Sequence, residues 1–319
     1  MIITVTLNPA LDQTVEVEHL VLADTNRVSA PLRVDISGKG INVARGLKAL
    51  GCEAFACGLA PGQRGRQIEQ HLLNSGIGCD FVHVSGETRT NITVLDRSTH
   101  TSTQLLLPGP QLDPAAIDEL HERLRRRLQP GGWLVLTGSI PPGGDPGIYG
   151  DLIRMATEMG AFTAFDADGP IVEPVLASGA YPTLLKMNDH ELSRLCHMEI
   201  EDDQLALQVA RKLHARGIPN VVITLGGEGA VAVTTDGEYM VRPPRIDVVS
   251  AVGAGDGFMS GLLCGLVRDG AWESALTLAT ATGAAICLAP GTVLRTPADV
   301  ERLRPQAHVS RLSAPSTAR

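Results

Sequence analysis

The chain has 319 residues, enough for one large α/β domain or two ordinary ones. Apolar residues make up 44% and charged residues 19%, which supplies a sizeable core and excludes a disordered or acidic-tail protein. The formal charge of −8 argues against nucleic acid as the main partner.

The opening "MIITVTLNPALD" has no basic start and is interrupted by Pro9 and Asp12, so no signal peptide is expected. "IITVTL" (2–7) is β-branched, ends at Asn-Pro, and predicts a strand. Residues 12–34 and 88–107 differ from the rest: "TVEVEHLVL", "TNITVLD" and "STQLLLPG" alternate apolar with polar side chains, as half-exposed strands do. They predict a small β-sheet built from two excursions, a lid able to cover a site. The main domain then takes 1–11, 35–87 and 108–304.

"SGKGINVARGLKALG" (37–51) is a Gly-rich turn opening a helix, with Gly38 and Gly40 permitting close backbone approach and Lys39 and Asn42 offering donors. An ordinary glycine-capped turn fits the same residues. "PAAIDELHERLRRRLQPG" (114–131) places Ile117, Leu120, Leu124 and Leu128 on one stripe between Pro114 and Pro130-Gly131. Its "RRR" shares the helix with acidic residues and reads as a solvated face. "WLVLTG" (133–138), "FTAFD" (162–166), "TLLKM" (183–187) and "VVITLGG" (221–227) are short apolar runs without alternation, as in strands buried on both faces. "TGSIPPG" (137–143) follows the first of these, at the edge where α/β sheets place ligands. In "KMNDHEL" (186–192), Asn188 and Glu191 stand three apart, on one face of a helix, with oxygens suited to Mg²⁺ held through water. As a bare pair they are equally two surface polar residues. "DDQLALQVARKLHARG" (202–217) repeats the helical pattern, and "TLGGEGA" (224–230) is a turn able to pass close to a flat ligand. Strands alternating with helices predict a three-layer α/β/α domain with a mostly parallel sheet.

"SAVGAGDGF" (250–258) sets Asp256 among three glycines before an apolar run. A Gly-rich turn entering a helix is an anion site. No GxxxxGK[ST] occurs, and Phe258 stands where GxGxxG needs glycine, so P-loop and Rossmann readings fail. The carboxylate is either a general base beside a transferred phosphoryl group or a helix cap. The apolar stretch from Phe258 to Ala289 is broken at 268–270, below the ~20 residues of a membrane span. Six cysteines without CxxC spacing predict reduced thiols in a cytoplasmic protein. The tail 305–319 is expected to fray.

Taken together, "GKGIN-AR" (38–45) and "VGAGDGF" (252–258), in order and about two hundred residues apart, resemble the PfkB, or ribokinase-like, carbohydrate kinases. "NPALD", "RTN" and "TLGGEGA" sit where that family has them, and the resemblance runs from Met1 to about Leu303. Within it, "TVTLNPALD", "TNRV" and Lys39 are most similar to the bacterial kinases of fructose 1-phosphate and tagatose 6-phosphate, while "LLLPGP" and "APGT" look more like the minor 6-phosphofructokinases.

The resemblance implies a ribokinase-like fold and roles for individual residues. Asp256 would be the base, and Gly253, Ala254 and Gly255 the anion hole. Asp12, Gly38 and Asn42 would hold sugar hydroxyls, with Asn91 beside Arg89. Lys39, Arg89, Ser139 and Arg27 would meet the substrate's own phosphate. Lys186, Asn188 and Glu191 would serve ATP phosphates and Mg²⁺. Thr224, Gly226, Gly227 and Gly229 would form the nucleotide loop, with Gly283 near adenine. Ser250, Val252 and Gly291 would offer carbonyls to a monovalent cation such as K⁺. Four positions depart from the family pattern: Ser37, Met187, Asp168 and Gly257. The implied reaction is ATP-dependent phosphorylation of fructose 1-phosphate, the alternatives being tagatose 6-phosphate, fructose 6-phosphate or a non-catalytic sugar-phosphate sensor. A homodimer through the lids is expected, with no nucleic-acid or membrane partner.

Overall fold

A computed structural model describes residues 1–30, 32–99 and 101–312. The chain runs β1 (Ile2–Thr6), β2 (Ala10–Val17), β3 (Arg33–Ser37), α1 (Lys39–Ala49), β4 (Ala54–Pro61), α2 (Gly62–Asn74) and β5 (Gly78–Val84). It continues with β6 (Arg89–Asp96), β7 (Thr101–Leu105), α3 (Pro114–Arg127), β8 (Trp133–Thr137), α4 (Gly147–Glu158), β9 (Phe162–Asp166) and α5 (Gly169–Ala177). Then come β10 (Leu184–Asn188), α6 (Asp189–Cys196), α7 (Asp203–Ala215), β11 (Asn220–Thr224), β12 (Ala230–Val233) and β13 (Glu238–Arg242). The chain closes with α8 (Ala254–Asp269), α9 (Trp272–Ile286), α10 (Pro297–Leu303) and β14 (His308–Leu312).

The main sheet has the order β14-β13-β12-β11-β10-β9-β8-β1-β4-β5. It is parallel from β11 to β5 and antiparallel from β11 to β14. The apolar runs became its central strands because helices cover both faces. On one side Leu120, Leu124, Leu152, Val172 and Leu207 are buried together. On the other, Ile41, Leu47, Ile68, Phe258, Leu262 and Ala275 form a second core. Each such side chain contributes roughly 1.5–3 kcal/mol on leaving water. Strand order reverses at β1, so a crevice opens beyond the carboxyl ends of β1, β8, β9 and β10.

The second sheet, β3-β2-β6-β7, is inserted after β1 and after β5, at that same crevice edge. It is the small second sheet expected from alternation, shifted at its boundaries. Strands take 10–17 and 33–37, while 18–32 is irregular apart from a Val17–Val28 bridge. The stretch "EHLVL" does not extend the strand; Leu20 N–H and Ser98 instead bond the buried Asp96 carboxylate.

Two expectations need correction. Cys52 and Cys264 form a disulfide with Cα atoms 6.0 Å apart, although reduced thiols were expected. They stand 212 residues apart and meet only because α1 packs along α8. The tail is ordered further than expected, because 308–312 pairs antiparallel with β13 as an edge strand. The remainder of that call, 313–319, lies outside the described residues.

Candidate active site

The floor of the crevice is the entry to α8. Gly253 has φ +83°, left-handed backbone that favours glycine, and a Cβ there would fall 2.8 Å from Thr292 Cα. Ala254, Gly255 and Asp256 are the first three helical positions. The Ala254 N–H turns back to Ala251 O at 3.2 Å, which leaves the amides of Gly253, Gly255 and Asp256 for an anion. Of the three residues expected from sequence, Gly253 and Gly255 thus keep a free amide among the described residues and Ala254 does not. Further along α8, Gly257, Gly261 and Gly265 form the face packed on α9. A Cβ at those positions would fall 2.5 to 2.7 Å from Ile286, Ala279 and Ala275. Close helix packing thus accounts for the departure at Gly257.

Asp256 is buried, and its Oδ2 accepts a 2.8 Å hydrogen bond from Asn42 Nδ2. Its carboxylate does not accept from a helix N–H, so the capping role left open by the sequence is not the one adopted. Burial raises its pKa from 3.8 to about 6, against the pull of Lys39, and Asp166 adds to the rise. Asn42 reaches it because α1 and α8 lie close: Ser260 Oγ donates to Val43 O at 3.1 Å, and Gly46 leaves room for Ser260.

Beside Asp256 lies a charged cluster. Lys39 Nζ donates to Asp166 Oδ1 at 3.1 Å and Glu191 Oε1 at 3.0 Å, while Lys186 Nζ donates to Asp166 Oδ2 at 3.0 Å. Burial opposes the charge on Lys39, but Asp166, Glu191 and Asp256 outweigh it and hold the ammonium above its usual range. Burial likewise opposes the charge on Asp166, yet Lys186 and Lys39 keep it below the ordinary carboxylate value. A Cβ on Gly255 would lie 2.9 Å from Lys186 Nζ, which places that amine against the anion hole.

Several expected residues sit elsewhere. Lys39, expected to meet the substrate's phosphate, has its amine on two buried carboxylates, Asp166 and Glu191, that need a counter-ion. Asn188 is the N-cap of α6, not a helix-face residue: its Oδ1 accepts from Glu191 N, and Glu191 Oε2 accepts from Asn188 N. Asn42 faces the Asp256 carboxylate rather than open space. Gly283 is buried in α9, where a Cβ would fall 3.1 Å from Ala254 O. Arg27 is exposed on the irregular stretch between β2 and β3. Asp168 caps α5 at Gly169 N and bonds Arg194 Nε at 2.5 Å, so its charge is already matched. Met187 fills the core, and Ser37 is buried at the end of β3.

At the lid side, Arg89 donates to Leu107 O, Asn8 O and Ser139 Oγ at 2.9–3.2 Å, and its Nε is buried without a partner. Burial lowers its pKa, offset in part by Asp12. Asn91 Nδ2 donates to Asp12 Oδ1 at 2.8 Å, joining β6 to β2. Ser139 Oγ accepts from both Arg89 and Asn8 Nδ2 at 3.2 Å, and Gly38 packs on Thr6 and Pro9. Thr224 ends β11, Gly226 and Gly227 are exposed in a short turn, and Gly229 is packed on Val241. Ser250, Val252 and Gly291 line one small cavity with Asp12, Asp35 and Thr292. Three residues of the site were missed in sequence: Asn8, Asp166 and Thr292. Asp166 had a readable signal, a carboxylate at the carboxyl end of a predicted strand.

A buried carboxylate beside free helix amides, flanked by two lysines at the reversal point of an α/β sheet, is the arrangement of a phosphotransferase. Residues 5–299 match the model of the pfkB family carbohydrate kinases, and the chain belongs to that family. It is 33% identical over 285 residues to a tagatose-6-phosphate kinase of Staphylococcus epidermidis, covering 89% of this chain and 91% of that one. It is 36% identical over 282 residues to a 1-phosphofructokinase of Xanthomonas campestris pv. campestris, covering 88% of each. Among solved structures, phosphofructokinase-2 from Escherichia coli in complex with potassium superposes with TM-score 0.87 at 28% identity, covering 95% of this chain and 98% of that one.

Proposed function

We propose that the chain transfers the γ-phosphoryl group of ATP to a primary hydroxyl of a ketohexose monophosphate, fructose 1-phosphate first, giving fructose 1,6-bisphosphate. The observation that carries the phosphorylated substrate is Arg89. It is a half-buried guanidinium held only by carbonyls and a hydroxyl, with Nε unpartnered, beside Ser139 and opposite the catalytic floor. Such a group is incomplete without an anion, and its planar fork suits phosphate. An unphosphorylated sugar would leave it unmatched.

In this reading the sugar lies between Arg89 and Asp256, with Asp12 and Asn91 on its hydroxyls. Asp256 Oδ1 takes the proton of the attacking hydroxyl as oxygen bonds to phosphorus and the bond to ADP breaks. The Gly255 and Asp256 amides hold charge on the migrating group, with Lys186 beside them. Thr224, Gly226, Gly227 and Gly229 offer an open loop to the nucleotide, and Gly283 backs it. Mg²⁺ would supply further neutralisation of phosphate charge. It would be held by phosphates, water and the nearby Asn188 and Glu191. Ser250, Val252 and Gly291 offer carbonyls for K⁺, the ion in the Escherichia coli structure. Closure of the lid would exclude water as a competing acceptor. The expected assembly is a homodimer covering the lid's apolar face.

An ADP-release assay over fructose 1-phosphate, tagatose 6-phosphate and fructose 6-phosphate tests the assignment. The highest kcat/KM is expected for fructose 1-phosphate. A tenfold preference for either other sugar overturns the choice, and no turnover with any of them overturns the kinase reading in favour of a sensor.

A further inference from the structure

Asn42 bonds the base, but an amide can present either its NH₂ or its carbonyl. The Asp256 carboxylate, an acceptor only, calls for the NH₂, and what anchors the other end of the amide lies outside the signature motifs. Thr292, buried in the loop after α9, donates from Oγ1 to Asn42 Oδ1 at 3.2 Å. The carboxylate can only accept, so the NH₂ end faces Asp256 Oδ2 at 2.8 Å, and the Thr292 hydroxyl ties down the carbonyl end. Reversed, the amide would set its oxygen against a carboxylate oxygen and lose the bond to Asp256, although its NH₂ could still donate to the Thr292 hydroxyl. Thr292 also backs the anion turn, since Gly253 packs on its Cα and Cβ.

We infer that Thr292 is a positioning residue for phosphoryl transfer, acting through Asn42 to hold Asp256 with Oδ2 engaged and Oδ1 free for the incoming hydroxyl. Among the described residues Oδ2 alone of that carboxylate is hydrogen-bonded, which leaves Oδ1 as the proton acceptor. The inference rests on Asp256 as the base. It assigns to the 290–292 loop a part in the chemistry beside any role toward a cation. A base that swings by an ångström loses on the order of hundredfold in rate, so a hydroxyl that touches no substrate can still set turnover.

Thr292→Val keeps the β-branched shape against Gly253 and removes only the hydroxyl. It should lower kcat about tenfold with the sugar-phosphate KM changed less than threefold. Thr292→Ser should restore most of the loss. In an Asn42→Ala background, Thr292→Val should add little, because the link it supports is already broken. Circular dichroism and thermal unfolding confirm folding, and Thr292→Ala repeats the test should the valine variant not fold. Wild-type kcat in a folded Thr292→Val, a serine variant as damaged as the valine, or full additivity with Asn42→Ala overturns the inference. Asp256→Asn, run alongside, separates the two levels. If it retains turnover, the base assignment fails; if it is inactive while Thr292→Val is normal, only the relay fails.

Discussion

At the floor of the site, buried groups hold one another: Asp166 takes Lys39 and Lys186, Glu191 takes Lys39, and Asn42 fixes Asp256. The lid above is built otherwise. Its one guanidinium toward the crevice, Arg89, leans on carbonyls and a hydroxyl, and Leu105, Leu106 and Leu107 face solvent. The floor is complete before anything binds, so its geometry is set by the fold alone. The lid has an unmatched charge and an uncovered apolar face, so it is finished by what it meets. Rate should therefore depend on the floor, and substrate choice and assembly on the lid.

The sharpest way to break that contrast is Asp256→Asn. General bases contribute ~10²–10⁴-fold, and a loss of that order in kcat is expected with little change in either KM. The same variant should be more stable at pH 7. Burial lifts the Asp256 carboxyl from 3.8 to about 6, so the folded state favours its protonated form. That stability is present below the unfolded value and is lost as pH rises through about 6. Above it the buried charge costs on the order of 3 kcal/mol, which asparagine does not incur. The Tm gain of Asp256→Asn should thus be full above pH 6 and vanish below about 4. A Tm gain independent of pH would show that the charge is not the cause.

The titration also sets the rate profile of the native enzyme. The base acts only when ionised, so kcat should fall tenfold per pH unit below about 6 and level off above it. Lys39, Asp166 and Lys186 face Asp256, and the pairing of Lys39 with Asp166 favours the charged form of both through this window. A kcat that stays flat down to pH 4.5 would remove Asp256 as the acceptor.

The lid side should respond in KM. A hydrogen bond to a charged group is worth about 1.5–3 kcal/mol, so Arg89→Ala should raise the sugar-phosphate KM roughly 10–100-fold. The KM for ATP and kcat at saturation should hardly move. A loss confined to ATP affinity would place Arg89 on the wrong side of the crevice.

Sequence legibility divides along the same line. The Gly-rich entry to α8 could be read because its signal is local, glycines and a carboxylate within "GAGDG", although that stretch alone left base and cap both open. Buried strands such as "IITVT" and "WLVLT" were readable because both faces are covered and apolar residues run on unbroken. What escaped depends on distant pairs. Asp166 joins Lys39 across 127 residues, and Cys52 joins Cys264 across 212. "HVSRL" pairs as an edge strand whose exposed, polar composition resembles a frayed tail. The placement of Asn188 on a helix face was misread for another reason. Its N-x-x-E spacing is a capping signature, and that local chemistry competes with metal ligation for the same oxygens.

The smallest effect on chemistry should come from the lid's outer face. Leu22, Leu106, Val28 and Leu105 are 83%, 65%, 53% and 53% exposed, which is costly for a lone chain and suits a second copy. Leu106→Asp puts a charge on that face without touching the floor. Light scattering should show the native chain at twice its 33.7 kDa mass and the variant near one. Its kcat should stay within a few-fold, because no residue around Asp256 comes from the lid tip, while the sugar-phosphate KM should rise because Leu107 O holds Arg89. A native chain that is monomeric would show that the lid's apolar face is not closed by a copy of itself. A dimeric Leu106→Asp with unchanged KM would place the contact on another surface and leave Arg89 positioned by its own protomer alone.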